Sequence, residues 1–326
     1  ATVRSAAAQC LGNAGKAAKD AIPVLLEALK DEQVKDSAID ALGKIGCQPK
    51  VVIPALIELL AEEREEAYYH HSLPQALASF KKKAMPYLAE ASKSDNATVR
   101  LGVVETYGEM YPKSEEVIDA YVKALDDPDG KVRARAASQL ADLHGKAKVA
   151  EARLIELLED PVSGVRFNAA RALGEIRTKD PKAIEILVRS LDEEDWTHRT
   201  CIVSALSTIG KLATVPLTEA LKSENHNKRD GAWRALWSFQ FSDSEKAMQG
   251  LINTHESDNE EVRMWVAATL VGHEPKSSAA VPALTTALKH NEARIRGKAA
   301  ELLGNLGDKA KAAVARMIEL LADEDA

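Results

Sequence analysis

A motif of about 33 residues recurs along the whole chain, and this period restricts the possible folds more than any other feature. Three clear copies read VRSAAAQCLGNAG at residues 3–15, VRFNAARALGEIR at 165–177 and IRGKAAELLGNLG at 295–307. In a repeat of this length each unit contacts only its neighbours, and stacking the units buries one continuous apolar layer. The sequence therefore predicts a stacked array rather than a protein with a single compact core.

The units align on one residue near the start of each copy, usually basic, which we call the anchor. The anchors are Arg4, Lys35, His70, Arg100, Arg133, Arg166, Arg199, Arg229, Arg263 and Arg296. Seven positions later stands a packing residue, which is Leu11, Leu42, Leu77, Tyr107, Leu140, Leu173, Leu206, Leu236, Leu270 or Leu303. The units start near residues 2, 33, 67, 98, 131, 164, 197, 227, 261 and 294, and we predict one solenoid domain over residues 1–326.

Within each unit the apolar residues stand three or four positions apart, which is the spacing of a helix that buries one face. No segment alternates apolar and polar residues, so we expect an all-α fold without strands. A glycine eleven positions after the anchor, as at Gly15, Gly46 and Gly307, predicts the end of the first helix. Proline predicts the start of the second helix in four units: Pro23, Pro54, Pro86 and Pro282.

The loop that closes each unit carries an acidic or amide residue four to six positions before the next anchor. These residues are Asp31, Asp95, Asp127, Asp160, Asp195, Asp258 and Asn291. Their position predicts helix N-caps. We also expect the anchor arginines to pair with these residues and to align neighbouring units. Binding of an anion by the arginines is the alternative.

These residues resemble HEAT repeats, and in particular the short class found in phycobilisome lyase subunits and many bacterial scaffolds. The VR-x-x-A-A-x-x-LG helix and the following P-x-L-x-x-L helix carry the resemblance over essentially the whole chain. It implies a right-handed α-solenoid of about ten units with the second helices on the concave face. Because solenoids are usually binding surfaces, it also implies a non-enzymatic scaffold or adaptor that binds another protein. It does not name the partner, because this class serves many unrelated roles. Tetratricopeptide repeats fit less well, and armadillo units are longer.

Composition limits the partners and the compartment. The net charge of −7 and the isoelectric point near 5.7 argue against nucleic acid as a partner. No stretch approaches the roughly 18 apolar residues of a membrane span, so no membrane insertion is expected. Cys10, Cys47 and Cys201 lack the spacing of a disulfide framework or a zinc site, and Cys10 is predicted to be buried. Unpaired cysteines make the cytoplasm a default compartment.

Both ends of the sequence lie within or next to a repeat, which predicts an excerpt of a longer chain or a processed form. A solenoid without polar end caps exposes apolar faces at its ends. We therefore expect either further repeats or self-association through these ends.

One column near the end of the second helix is mostly acidic. Its six glutamates are Glu27, Glu58, Glu90, Glu156, Glu219 and Glu319. If the second helices line a concave face, these residues form a stripe that favours a basic segment of a partner protein. The alternative is a solvated helix face occupied by a good helix former.

Two units depart from the pattern and supply aromatic binding candidates. The third unit contains Tyr68 and Tyr69, and the eighth places Trp233 and Trp237 four positions apart on one helix face. Tryptophan and tyrosine are enriched at binding hot spots, so either unit is a candidate docking pocket. The alternative is that the aromatic residues fill the core and change the local curvature.

No motif predicts catalysis. The chain lacks a P-loop, G-x-S-x-G and HExxH, so we predict no enzyme, no cofactor and no metal. The pairs His255-Glu256 and His273-Glu274 fall out of register with the His-Glu pairs that bind iron in HEAT-repeat deoxyhypusine hydroxylases. Two other hypotheses remain beside the scaffold: a bilin-lyase-like or small-ligand-binding protein, and a structural spacer of a larger protein.

Overall fold

The computed structural model describes residues 2–61, 72–110, 114–238, 281–290 and 293–323. In these residues every regular element is helical and none is a strand, which confirms the all-α solenoid fold class. Contacts divide the chain into two compact units, Ala1–Leu143 and His144–Ala326, which we call the N-terminal block and the C-terminal block. The prediction of one continuous domain over residues 1–326 stays a prediction.

First helices alternate along the chain with second helices, which are mostly shorter. The first helices are α1 (Thr2–Asn13), α3 (Lys35–Ile45), α5 (Ser72–Ser79), α7 (Ala97–Glu109), α9 (Gly130–Ala141), α11 (Ser163–Glu175), α13 (Trp196–Ile209), α15 (His226–Ser238) and α17 (Ala293–Leu306). The second helices are α2 (Ile22–Ala28), α4 (Pro49–Glu58), α6 (Met85–Ala91), α8 (Glu115–Ala124), α10 (Glu151–Glu156), α12 (Pro181–Arg189), α14 (Thr214–Ala220), α16 (Val281–Ala287) and α18 (Val314–Glu319).

Consecutive first helices pack side by side within each block. In the N-terminal block α1, α3, α5, α7 and α9 form one such series, and in the C-terminal block α11, α13 and α15 form another. The packing residues lie between the helices, and Leu42, Leu77, Leu140 and Leu173 are at most 1% exposed. The columns read from the sequence are therefore the buried layer of the solenoid.

A glycine directly after the packing residue brings neighbouring first helices into close contact. A Cβ atom on Gly43 would lie 2.7 Å from the Cα atom of Ala76, and one on Gly174 would lie 2.7 Å from that of Ala205. Real Cβ atoms do not approach backbone so closely, so these positions admit no side chain without a shift of the helix. The glycine and alanine columns thus set the distance between units.

Seven of the eight positive φ values among the described residues fall eleven positions after an anchor, in the intra-unit turns, and the eighth belongs to Gln48, directly before α4. Gly15, Gly46, Gly210 and Gly307 have φ between 56° and 73°, and Gly46 ends α3 as predicted. Lys81, His144 and Arg177 take the same conformation, with φ of 51°, 48° and 51°. The turn therefore imposes this conformation on residues with a side chain, at a cost of roughly 1–2 kcal/mol each.

The predicted helix starts need one correction. Pro23 and Pro86 occupy the first turn of α2 and α6 as expected, and Pro282 does the same in α16. Pro54 instead lies inside α4, which begins five residues earlier at Pro49. Pro49 takes the position where a missing N–H has no cost, and the earlier start follows from it.

The predicted N-caps also need correction. Asp195 caps α13 and accepts hydrogen bonds from the backbone N–H groups of Thr197 and His198. Asp127 instead accepts from the N–H of Asp129 at 2.9 Å, and Asp129 is the residue that caps α9. Asp31 and Asp160 make the same turn to residues two positions on. The loop thus contains an aspartate turn before the cap.

The prediction that Cys10 is buried is wrong. Cys10 is exposed, whereas Ala41 and Ala205 at the same position of their units are at most 3% exposed. In those units the glycine of the preceding first helix covers the position, and no described helix covers it on α1.

One segment of the described chain, Trp196–Ala220, is long and apolar enough to cross a membrane by length and composition, contrary to our expectation. Its backbone turns at Gly210, where φ is 73° and ψ is −131°. The α13 part has 14 residues and spans about 21 Å, which is less than the roughly 30 Å of a bilayer core. Ile202, Leu206 and Leu217 are buried in the C-terminal block.

Candidate functional site

The six glutamates of the predicted column all lie on second helices, and all are exposed. We call this set the acidic stripe. Leu25 and Leu29 show the reason: they stand four residues apart on the buried face, and Glu27 lies midway between them on the opposite face. The same spacing of leucines brackets Glu58, Glu156 and Glu219. Core packing of the second helix therefore orients the carboxylates to solvent.

Most carboxylates of the acidic stripe pair with a basic residue of the same unit. Glu27 accepts a hydrogen bond from Lys30 at 3.0 Å, and both side chains are about three-quarters exposed. Equivalent pairs join Glu90 to Lys93, Glu156 to Arg153, Glu219 to Lys222 and Glu319 to Arg316. Glu58 forms no ion pair with any described residue. Pairs of this kind contribute only about 0.3–0.5 kcal/mol, so they leave the carboxylates available.

Exposed valines accompany the acidic stripe. Val24 precedes Glu27 by three residues, and Val215 precedes Glu219 by four, so each pair lies on one helix face. Val24 is 70% exposed and Val215 is 59% exposed. The stripe therefore combines carboxylates with small apolar patches. Such a combination fits an amphipathic basic segment better than a uniformly charged one.

The aromatic candidates divide into three cases. Tyr68 and Tyr69 lie outside the described residues, and so does the environment of the Trp237 side chain, although its backbone belongs to α15. Trp233 is half-buried on α15. Among the tryptophan side chains that the structure describes, Trp196 at the start of α13 reaches solvent, with 53% exposure.

Two arginines make cation–π contacts with the exposed indole of Trp196. The guanidinium carbon of Arg234 lies 4.9 Å from its ring centre and that of Arg199 lies 5.6 Å away. Trp196 is not among the binding residues predicted from the sequence.

The anchor arginines connect consecutive loops. Arg100 donates to both carboxylate oxygens of Asp127, at 2.7 and 2.8 Å, and to the carbonyl of Ser94 at 2.7 Å. Burial alone would raise the pKa of Asp127, but its hydrogen bonds with Arg100 and the Asp129 backbone lower it. The hydrogen bond to Asp127 raises the pKa of Arg100.

The expected pairing of an anchor with an aspartate is thus present at Arg100 and again at Arg296 with Asp323. In both pairs the carboxylate belongs to the loop that follows the unit, 27 residues after the arginine. The carbonyls of the preceding loop accept from the same guanidinium groups. The Arg100 side chain is 11% exposed, which leaves little surface for an external anion.

The C-terminal block contains a small cavity beside α11 and α13, lined by Phe167, Glu193, His198 and Ile202 among others. Its volume is about 20 Å³, which holds a single water molecule and is too small for a chromophore. Burial raises the pKa of the nearby Cys201 thiol to about 11. Within the described residues no cluster of three His, Cys, Asp or Glu side chains has the arrangement of a metal site. His255 and His273 lie outside those residues.

Comparisons with known proteins agree with the fold. The family described as HEAT repeats matches residues 1–72, 53–141, 118–207, 153–225 and 255–326. No curated protein matches the chain.

Solved structures with a similar fold include a chain of the Kap95:Nup1 complex, with 13% identity, a TM-score of 0.57 and coverage of 93% of this chain and 47% of that chain. Importin beta has 14% identity, a TM-score of 0.57 and coverage of 88% and 47%. An engineered protein has 23% identity, a TM-score of 0.46 and coverage of 93% and 94%. The chain therefore spans about half the length of the Kap95:Nup1 complex chain and of importin beta.

Proposed function

The chain belongs to the HEAT repeat family, and we propose that it is a non-enzymatic scaffold that binds a basic segment of another protein along its second helices. The observation that carries this proposal is the acidic stripe. Its carboxylates are exposed in every described unit where they occur, and buried leucines fix their orientation. One structure with this fold, the Kap95:Nup1 complex, is an assembly with a second protein.

The weakness of the existing ion pairs supports the proposal. An exposed pair such as Glu27–Lys30 contributes a few tenths of a kcal/mol, whereas an arginine of a partner donates two parallel hydrogen bonds to a carboxylate. A partner can therefore displace the internal lysine at low cost. Glutamates of the same block that bind one segment add their contributions, because the segment is a single linked ligand.

The test uses two synthetic peptides of equal length: a lysine- and leucine-rich amphipathic peptide and its glutamate counterpart. We expect the chain to bind the basic peptide, with affinity that falls as salt rises. The variant with Glu27, Glu58, Glu156 and Glu219 changed to Lys should bind it at least about tenfold more weakly.

A matched control changes Glu116, Asp119, Glu194 and Glu224 to Lys. These exposed acids lie outside the acidic stripe and give the same change in net charge. If both variants lose affinity equally, the binding depends on net charge and the stripe is not a site. Unchanged binding in the stripe variant also contradicts the proposal.

Lyase-type or ligand-binding activity, a spacer role and self-association through the ends stay predictions. To test whether an aromatic pocket binds a ligand, tetrapyrroles and apolar ligands are titrated into the protein while its tryptophan fluorescence is measured. Sedimentation at increasing concentration tests self-association.

A further inference from the structure

A second charged surface lies at the intra-unit turns of the N-terminal block. Six lysines belong to these turns or to the first helical turn that follows: Lys16, Lys19, Lys50, Lys81, Lys82 and Lys83. All six are exposed, and none forms an ion pair with a described residue. Asp20 is the acidic residue among them. We call these six residues the basic turn row.

The contacts between first helices place these turns along one edge. Gly12 of α1 meets Ala41 of α3, and Gly43 of α3 meets Ala76 of α5, in each case within the last turns of both helices. The carboxyl ends of α1, α3 and α5 are therefore neighbours. Because each intra-unit turn continues directly from such an end, the three turns stand side by side.

No described residue forms an ion pair with a lysine of the basic turn row, in contrast to three other exposed lysines of the block. Lys30 and Lys93 pair with glutamates of the acidic stripe, and Lys44 pairs with Asp40 at 2.7 Å. Within the described residues the turn lysines have no such partner. An external anion would therefore meet them without breaking an existing ion pair.

Helix stability accounts for only part of this pattern. A cation near the carboxyl end of a first helix is favourable by about 0.3–1 kcal/mol. This interaction with the helix dipole explains Lys16 and Lys81. Lys50 lies in the first turn of α4, where the helix dipole disfavours a cation. Next to it Val51 is 52% exposed. These two residues present a charge and an apolar contact to solvent.

We propose that the basic turn row binds an acidic, extended segment of a protein. Helices in contact stand about 8–10 Å apart, and an extended chain advances about 3.3 Å per residue. One unit of the row therefore matches about three residues of the segment, with an acidic residue at every third position. An aliphatic side chain between the acids would contact Val51. Nucleic acid fits less well, because Phe80, the aromatic residue directly before Lys81, is buried and cannot stack on a base.

The inference is independent of the proposed function, because it concerns other residues and the opposite charge. The test is titration of the full chain with a labelled peptide made of Glu-Ser-Leu triplets, and with the Lys-Ser-Leu peptide as reference. We expect the acidic peptide to bind, and the K16E/K50E/K82E variant to bind it at least about tenfold more weakly.

The control variant is K30E/K93E/K123E, which has the same change in net charge on exposed lysines outside the row. This variant should bind the acidic peptide with the affinity of the parent protein. No binding of the acidic peptide, or equal losses in both variants, would overturn the inference. Tighter binding of anionic vesicles or single-stranded DNA than of the peptide, lost in the row variant, would overturn it in favour of that polyanion. Thermal unfolding followed by circular dichroism verifies that both variants remain folded.

Discussion

At the scale of single residues, the repeat imposes geometry that a residue must satisfy whatever its own preference. The left-handed turn position shows this most directly, because a glycine fits it in Gly46 while an arginine occupies it in Arg177 with φ of 51°. The clamp between Arg100 and Asp127 is a second case, in which one guanidinium joins two successive loops. Both features give predictions about stability.

Substitutions at the left-handed position should have opposite signs. Gly46→Ala should destabilise the protein by about 1 kcal/mol, because a Cβ atom is unfavourable at φ of 60°. Arg177→Gly should stabilise it by about 0.5–1 kcal/mol by removing the same cost. Urea denaturation of both variants measures the difference. A destabilising effect of Arg177→Gly would show that its side chain makes a contribution larger than the backbone cost.

The clamp should make stability depend on acid pH. The folded-state pKa of Asp127 lies below its ordinary value, so its contribution is present above an unfolded pKa of about 3.9 and is lost as the pH falls through the folded value. Asp127→Asn should therefore lower the unfolding free energy at pH 7 and reduce its loss between about pH 5 and pH 3. Urea unfolding at several pH values checks this, with Asp119→Asn on α8 as the control that should follow the parent protein.

At the scale of elements, the distance between first helices depends on glycine, which has no side chain. Gly43 and Gly174 sit where a Cβ atom would overlap the backbone of the next first helix. Gly304 occupies the same position of α17 but has no atom within 4 Å of its Cβ direction. The same residue type in the same column therefore serves packing in one unit and has no packing role in another.

This contrast predicts opposite effects of one substitution. Gly174→Ala should destabilise by about 1–3 kcal/mol, because α11 and α13 must move apart. Gly304→Ala should be neutral or stabilising by up to about 1 kcal/mol, because alanine is the better helix former. Thermal and urea unfolding of the two variants distinguishes the cases. Equal destabilisation by both would contradict the close-contact explanation.

At the scale of the whole molecule, a chain of net charge −7 carries both a glutamate stripe and a lysine row. The two surfaces are built from different parts of the unit, the exposed face of the second helix and the turn before it. If both proposals hold, the scaffold connects a basic segment to an acidic one.

The two surfaces should therefore act independently. The basic and acidic peptides should bind at the same time, so that saturation with one changes the affinity for the other by less than about twofold. Fluorescence anisotropy of one labelled peptide in the presence of the unlabelled other checks this. Peptides of opposite charge also bind each other, so their direct association must be measured and subtracted. Full competition after that correction would mean that both peptides use one site.

The sequence by itself determined the fold class, because the 33-residue period and the column of packing residues leave a stacked helical array as the physical solution. It also identified the exposed glutamates, since the leucine spacing of the second helix decides which face is buried. Periodicity is a local property, and these features depend on it alone.

Only the tertiary structure decided which lysine and glutamate side chains form ion pairs within the protein and which can meet a partner unpaired. The lysine three positions from Glu27 pairs with it, whereas Lys50 and Lys82 pair with no described residue, and sequence spacing does not separate these cases. The structure also showed that Asp31, Asp127 and Asp160 form turns whereas Asp195 caps a helix, that Cys10 is exposed, and that Trp196 is an exposed tryptophan. Each depends on which neighbouring unit covers a residue, and contacts between units are not encoded in the pattern of one unit.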